Sequence, residues 1–227
     1  MKVVLCVPTM TKPYAQTLEA LQASAPVLDD AGIEHFMVSE VGCPYISAAR
    51  ATMLRKALDV KPDAIVFIDH DVSWRPHDLL TLVRTEGDFV AGTYRFKRER
   101  EEYMGAVLTD TEGLPMVREA DGALRAFSAP AGFLKITPRC VNVMVEHHPE
   151  LCYGDRHTPC FDFFNHGAHK HIWYGEDYAA CRRWIDAGEP LWMVPDLSIT
   201  HHAVDADYPG NFHRFLRQQP GGDLHGT

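Results

Sequence analysis

The sequence predicts an α/β fold: a mixed, mostly parallel sheet flanked by helices, with a small β-hairpin insertion. Three observations predict it. The β-branched run Lys2 to Val7 is followed by apolar residues at helical spacing and then by a second run, Ile33 to Val38, which makes a strand-helix-strand opening. Five apolar residues, Ala64 to Ile68, lead directly into Asp69-His70-Asp71, so a buried strand delivers two acids to a sheet edge. Helix and strand patterns then keep alternating as far as residue 200.

Taken in order, the first strand is stopped by Pro8-Thr9. From Pro13 to about Leu28 the apolar positions Leu18, Leu21, Ala25 and Leu28 are spaced for one helix face, with Pro26 expected to kink or break its end. Gly32 separates it from the second strand, which ends in Val38-Ser39-Glu40. Ile46 to Leu58 is expected to be a helix carrying Arg50 and Arg55, Pro76 to about Arg84 another helix, and Asp88 to Gly92 a strand. From Tyr94 to Leu124, short apolar pieces between Gly105, Gly113, Pro115 and Gly122 predict the hairpin insertion. Ala129 to Ile136 returns to strand, and Pro138 to Val145 forms a short helix. Residues 147–171 read as an aromatic loop. Glu176 to Ala187 is a helix stopped by Gly188, followed by strands at Leu191 to Val194 and Leu197 to Thr200 before His201-His202. Residues 1–204 are expected to form one domain, 1–95 its nucleotide-binding half and 96–204 its acceptor half, with 205–227 a flexible tail or lid.

Composition excludes some classes of function. With 227 residues, 46% of them apolar, the chain can bury a proper core. A net charge of −9 argues against a protein drawn mainly to nucleic-acid phosphate, although the basic stretch Arg95 to Arg100 suits a smaller anion. No apolar run reaches the about 18 residues needed to span a membrane, so a soluble, cytoplasmic protein is expected. Six cysteines without a C-x-x-C pair read as reduced thiols. A structural zinc among Cys152, His157, Cys160, His166, His169 and His171 matches no familiar ligand spacing.

The chemistry centres on the two acids. In an extended segment Asp69 and Asp71 point the same way and His70 the other. Paired carboxylates offer hard oxygens to Mg²⁺ or Mn²⁺, ions that usually keep further positions for water and phosphate. Glu176 and Asp177 open a helix, where acids are also favoured by the helix dipole alone.

Five pieces in this order resemble the nucleotide-sugar-dependent glycosyltransferases of the GT-A (Rossmann-like) fold, closest to the family 2 type. They are Pro8-Thr9 after the first strand, Ser47-Ala-Ala-Arg50, Asp69-His-Asp71, Ala129-Pro-Ala-Gly132-Phe, and Gly175-Glu176-Asp177 through Gly188 with Val194-Pro195 and His201. The resemblance implies a metal-dependent transferase that moves a sugar from a nucleoside-diphosphate sugar, a UDP- or GDP-sugar foremost, to an acceptor hydroxyl. It places Pro8, Thr9, Ser39, Arg50, Asp69, His70 and Gly132 at the donor, and Asp69, Asp71 and His201 on Mn²⁺ or Mg²⁺, with His202 left open beside His201. Asp177 becomes the general base of an inverting displacement, with Glu176 second; a retaining enzyme would not use Asp177 so. Ser39 departs from the pattern, which commonly has an Asp there for the nucleoside. The acceptor is left open among glycan, small molecule, protein and modified nucleic acid, and so is the oligomeric state. Alternatives are a sugar-nucleotide nucleotidyltransferase, against which Pro8 to Lys12 lacks the Gly-rich loop, and a non-catalytic nucleotide- or glycan-binding domain.

Overall fold

The computed structural model describes residues 1–219. Its N-terminal half runs β1 (Lys2–Thr9), α1 (Ala15–Asp30), β2 (Glu34–Val41), α2 (Ile46–Leu58), β3 (Ala64–Ile68), β4 (Val72–Trp74), α3 (Pro76–Arg84) and β5 (Phe89–Gly92). An irregular insertion carrying β6 (Ala106–Val107) leads into β7 (Leu124–Ser128), β8 (Phe133–Ile136) and α4 (Pro138–His147). Two small hairpins follow, β9 (Cys152–Tyr153) with β10 (Cys160–Phe161), and β11 (Gly167–His169) with β12 (Ile172–Tyr174). The chain closes with α5 (Glu176–Asp186), β13 (Leu191–Val194), β14 (Ser198–His202), β15 (Asp207–Asn211) and α6 (Phe212–Gln218).

The main sheet has the order β2-β1-β3-β8-β5-β13-β7-β6. β2, β1 and β3 pair in parallel, as do β5 and β13, while β8 is threaded antiparallel between β3 and β5. A second sheet, β15-β14-β4, closes one end. Side-chain alternation divides the interior into two layers. Val4, Cys6, Ile65 and Phe67 pack with Met53, Leu54 and Ala57 of α2 and with Trp184 of α5, whereas Val3, Leu5, Val66 and Ile68 pack with Leu28 of α1 and Leu79 and Leu82 of α3. With α1 and α2 on opposite faces, the carboxyl ends of β1 and β3 open a crevice between the connections, the usual place for a ligand in such a sheet.

Several expectations are corrected. Pro26 does not end α1, which continues to Asp30. β2 runs on through Ser39 to Val41. The strand expected from Ala129 starts only at Phe133, because Ala129 to Gly132 form a turn, and the strand before it, β7, was not anticipated. The tail expected from residue 205 is structured as far as α6: β15 pairs with β14, and Phe212 and Phe215 meet the Tyr103 ring at centroid separations of 5.1 and 5.0 Å. Residues 220–227 of that expectation lie outside the described residues. Gly188 follows α5 at φ 85°, the left-handed turn a glycine supplies without strain, and its N–H donates to Ile185 O at 2.9 Å.

Candidate functional site

Asp69-His70-Asp71 is a turn between β3 and β4, which corrects the extended geometry expected for it. The Asp69 N–H donates to Gly132 O at 2.9 Å, the His70 carbonyl accepts from Tyr14 N–H and Thr17 Oγ1, and the Asp71 carbonyl accepts from His202 N–H at 2.7 Å. Three separate elements therefore pin the turn, and its two carboxylates face different partners.

Asp69 belongs to a buried network. Its Oδ1 accepts from Arg50 Nη2 at 2.9 Å and its Oδ2 from the Tyr94 hydroxyl at 3.2 Å. Arg50, 1% exposed on α2, also reaches Glu176 Oε1 at 3.7 Å and donates to Ala131 O at 3.3 Å, with its guanidinium against the Phe67 and Phe164 rings, 5.7 and 5.4 Å from their centroids. Burial works against its charge, but the Asp69 and Glu176 carboxylates outweigh that and hold its pKa above the usual value. Arg50 thus joins the turn after β3 to the start of α5 from behind, rather than standing open as a clamp for phosphate. Gly132 is required here: a Cβ on it would fall 2.1 Å from the Tyr94 hydroxyl and 2.3 Å from Asp69 Oδ2.

Asp71 faces the other way, toward His201 Nε2 at 3.5 Å and the Lys97 ammonium. Burial would raise its pKa, but His201 and Lys97 overcome that and hold it well below the usual carboxylate range. His201 Nδ1–H donates to Arg95 O at 2.8 Å, which turns Nε2 toward Asp71. The histidine left open by the sequence is now distinguished. His202 is buried, with Nδ1 on Asp207 at 2.6 Å and Nε2 on Ser73 Oγ at 2.8 Å, so it ties the small sheet together. The Tyr94 and His201 rings meet edge-on at 4.9 Å and join the two carboxylate clusters.

Asp177 sits on the first turn of α5, half-buried, with Oδ1 accepting from Tyr178 N–H at 2.7 Å. Burial, and next the Glu176 charge, push its carboxyl up from 3.8 to about 6, against smaller opposing effects of that N–H and of Arg50. A carboxylate poised near neutral pH is suited to accepting a proton. Glu176 is paired with Arg50 instead.

Of the donor residues expected, Pro8 and Thr9 lie buried at the end of β1, and Thr9 Oγ1 is a buried polar atom with no partner among the described residues, as is Arg50 Nε. Ser39 is exposed on the edge strand opposite Val7. The His70 ring lies beside Tyr14, at 6.0 Å. Tyr94 and Lys97 are site residues that were not singled out; their signal was position, immediately after β5, with Lys97 inside the basic stretch noted for an anion.

Asp71 and His201 face each other as an oxygen and nitrogen pair that fits a divalent cation once the Lys97 ammonium, which holds the same Asp71 oxygen, gives way, whereas both Asp69 oxygens are taken by Arg50 and Tyr94. Among the described residues no three His, Cys, Asp or Glu side chains form a metal cage, in residues 147–171 or elsewhere. Further ligands would have to come from substrate and water, as Mg²⁺ and Mn²⁺ commonly allow. All six cysteines are unpaired, and no helix among the described residues is long and apolar enough to cross a membrane.

No protein-family model and no curated protein matches the sequence. Solved structures do. GalNAc-T7 with UDP, GalNAc and Mn²⁺ is 13% identical at a TM-score of 0.50, covering 88% of this chain and 43% of that one. The catalytic domain of Drosophila beta1,4galactosyltransferase 7 with xylobiose is 13% identical at 0.46, over 100% and 76% of the two chains. The inositol-1-phosphate CTP transferase from T. maritima is 10% identical at 0.42, over 87% and 88%. The likeness to GalNAc-T7 shows the GT-A fold, and the chain spans less than half the length of that protein.

Proposed function

We propose that the protein is a metal-dependent glycosyltransferase that takes a sugar from a nucleoside-diphosphate sugar and passes it, with inversion, to an acceptor hydroxyl. One observation carries this reading. Around the carboxyl end of β3 the chain assembles two differently tuned carboxylates, Asp71 held ionised beside His201 and Lys97, and Asp177 raised to about 6. Such a split suits a site that must both stabilise a departing anion and remove a proton.

Asp71 and His201 would hold Mn²⁺ or Mg²⁺. When bound, the ion supplies Lewis-acid stabilisation of the leaving diphosphate. Asp177 accepts the proton of the acceptor hydroxyl as its oxygen attacks the anomeric carbon, and the bond from that carbon to the diphosphate breaks. Lys97 places a further positive charge beside the departing phosphate. Arg50 and Tyr94 hold Asp69 fixed.

The test is to incubate UDP-, GDP-, CDP-, ADP- and dTDP-sugars with the protein, Mn²⁺ and an acceptor mixture, and to measure released nucleoside diphosphate and the configuration of the product. Asp177→Asn should retain donor affinity and lose release. Release of pyrophosphate from a nucleoside triphosphate and a sugar 1-phosphate, with no transfer, would replace the reading by the nucleotidyltransferase one.

A further inference from the structure

The main sheet ends in two unlike edges. One is β6, two residues long with a shift of register against β7, the short and irregular form that resists pairing with a further strand. The other is β2, eight residues long and paired to β1 in one unbroken register. It contains no Pro, Lys or Arg and no bulge, the usual devices for blunting an edge. Its two acids share the α2 face, where Glu40 is held by Lys56 Nζ at 3.0 Å. Its apolar side chains are open at the edge: Met37 and Val41 are each 59% exposed on the α1 face, and Phe36 is 38% exposed on the other.

The hydrogen bonds show which backbone groups are free. The Glu34 N–H donates to Met1 O and the Gly42 N–H to Thr9 O, so the even-numbered residues of β2 are turned toward β1. His35, Met37, Ser39 and Val41 alternate with them. Their N–H and C=O groups point out of the sheet, where β2 has no neighbouring strand among the described residues. We propose that this edge is a homodimer interface, in which β2 pairs antiparallel with β2 of a second copy about a two-fold axis at Val38 and joins two eight-stranded sheets into one.

The segment is complementary to itself in that register and in no neighbouring one. A two-fold axis normal to the sheet sets one residue of β2 opposite its own copy. With Val38 on the axis, His35 meets Val41 of the second copy and Met37 meets its Ser39, each pair exchanging two hydrogen bonds, so all four outward residues are satisfied. Val38 meets Val38 at the narrow position between them, where side chains approach closest. Glu34 falls opposite Gly42 and Glu40 opposite Phe36, so no like charges face each other. An axis at Met37 would set Glu34 against Glu40 and carry Val41 past the end of its partner strand, and an axis at Ser39 would do the same to His35. An open chain of copies would need a second usable edge, which β6 does not supply, so assembly stops at two. The net charge of −9 on each copy opposes the contact, which should therefore tighten with salt.

The test is light scattering of the full chain after size exclusion, over a range of micromolar concentrations at low and physiological salt. The expected mass rises with concentration from 25.6 kDa toward twice that value. Met37→Pro removes an outward N–H and sets its ring in the path of the second strand, while the ladder to β1 stays whole. It should remain a monomer throughout, with an unchanged circular dichroism spectrum. Val38→Cys, oxidised with copper phenanthroline, should give a covalent dimer on a non-reducing gel. Phe36→Cys should not, because in this register it stands four residues from its own copy, about 14 Å at ~3.4 Å per residue, beyond the ~7 Å that a disulfide spans. The wild type under the same oxidation controls for the six native cysteines. A mass of 25.6 kDa at every concentration, a dimer that Met37→Pro leaves intact, species larger than two copies, or cross-linking of Phe36→Cys as readily as Val38→Cys would overturn the interface. Should Met37→Pro fail to fold, the two cysteine variants decide.

Discussion

Replacing Asp177 by Asn should stabilise the protein while abolishing its chemistry. The wild-type carboxyl is raised from 3.8 to about 6, chiefly by burial and then by Glu176, so folding opposes its ionisation. The displacement is about two pKa units. At ~1.36 kcal/mol per unit the penalty is at most about 3 kcal/mol, and about 1–3 kcal/mol once the carboxyl's remaining contact with water is allowed for. The sign follows from proton counting. Between 3.8 and about 6 the native state holds more protons on this group than the unfolded state, so its contribution to stability is greatest below 3.8 and is lost as pH rises through about 6. Asn carries no charge and keeps an oxygen for the Tyr178 N–H. Urea unfolding of both proteins from pH 4 to pH 8 should therefore show Asp177→Asn more stable by about 1–3 kcal/mol at pH 8, with the gap closing toward pH 4. The transfer rate of the wild type should fall as pH drops through about 6. A variant less stable than wild type at pH 8, or a gap independent of pH, would refute the reasoning.

Arg50→Met removes a buried cation and leaves Asp69 and Glu176 uncompensated, so it should cost about 3–5 kcal/mol in chemical denaturation; a loss under about 1 kcal/mol would show that the network relaxes without it. Gly132→Ala forces a methyl into the space of the Tyr94 hydroxyl and Asp69 Oδ2, and should cost about 1–3 kcal/mol while lowering donor affinity. His201→Ala should lose Mn²⁺-dependent diphosphate binding with little change in melting temperature, whereas His202→Ala, which unties Asp207 and Ser73, should do the opposite.

The elements that carry the site were legible because their signals are local. Five uninterrupted apolar residues mark β3, Pro76 opens α3, and Gly188 closes α5, each as read. β7 was not legible because its buried positions, Leu124, Ala126 and Ser128, are mostly small, while Phe127 faces outward and spoils the alternation. β15 contains Pro209 and Gly210, which in a sequence mark a loop; it forms because it is an edge strand, where a missing N–H is tolerated. Within the site the residue types were readable but their pairings were not. Nothing in Ser47 to Arg50 says that the guanidinium faces inward to Asp69 and Glu176, a consequence of α2 packing on the Phe67 face of the sheet. Tyr94 and Lys97 escaped because they follow a strand without any motif of their own.

On the proposed function, Asp71 and His201 bring a nucleoside diphosphate to the end of β3 through a divalent ion. Calorimetric titration of UDP and of GDP into wild-type protein and Asp71→Ala, each with Mn²⁺ or with EDTA, tests it most directly. The expected result is binding of at least one diphosphate by the wild type with Mn²⁺, loss of that binding with EDTA, and no Mn²⁺-dependent binding by Asp71→Ala. Equal diphosphate affinity in all four conditions would contradict it.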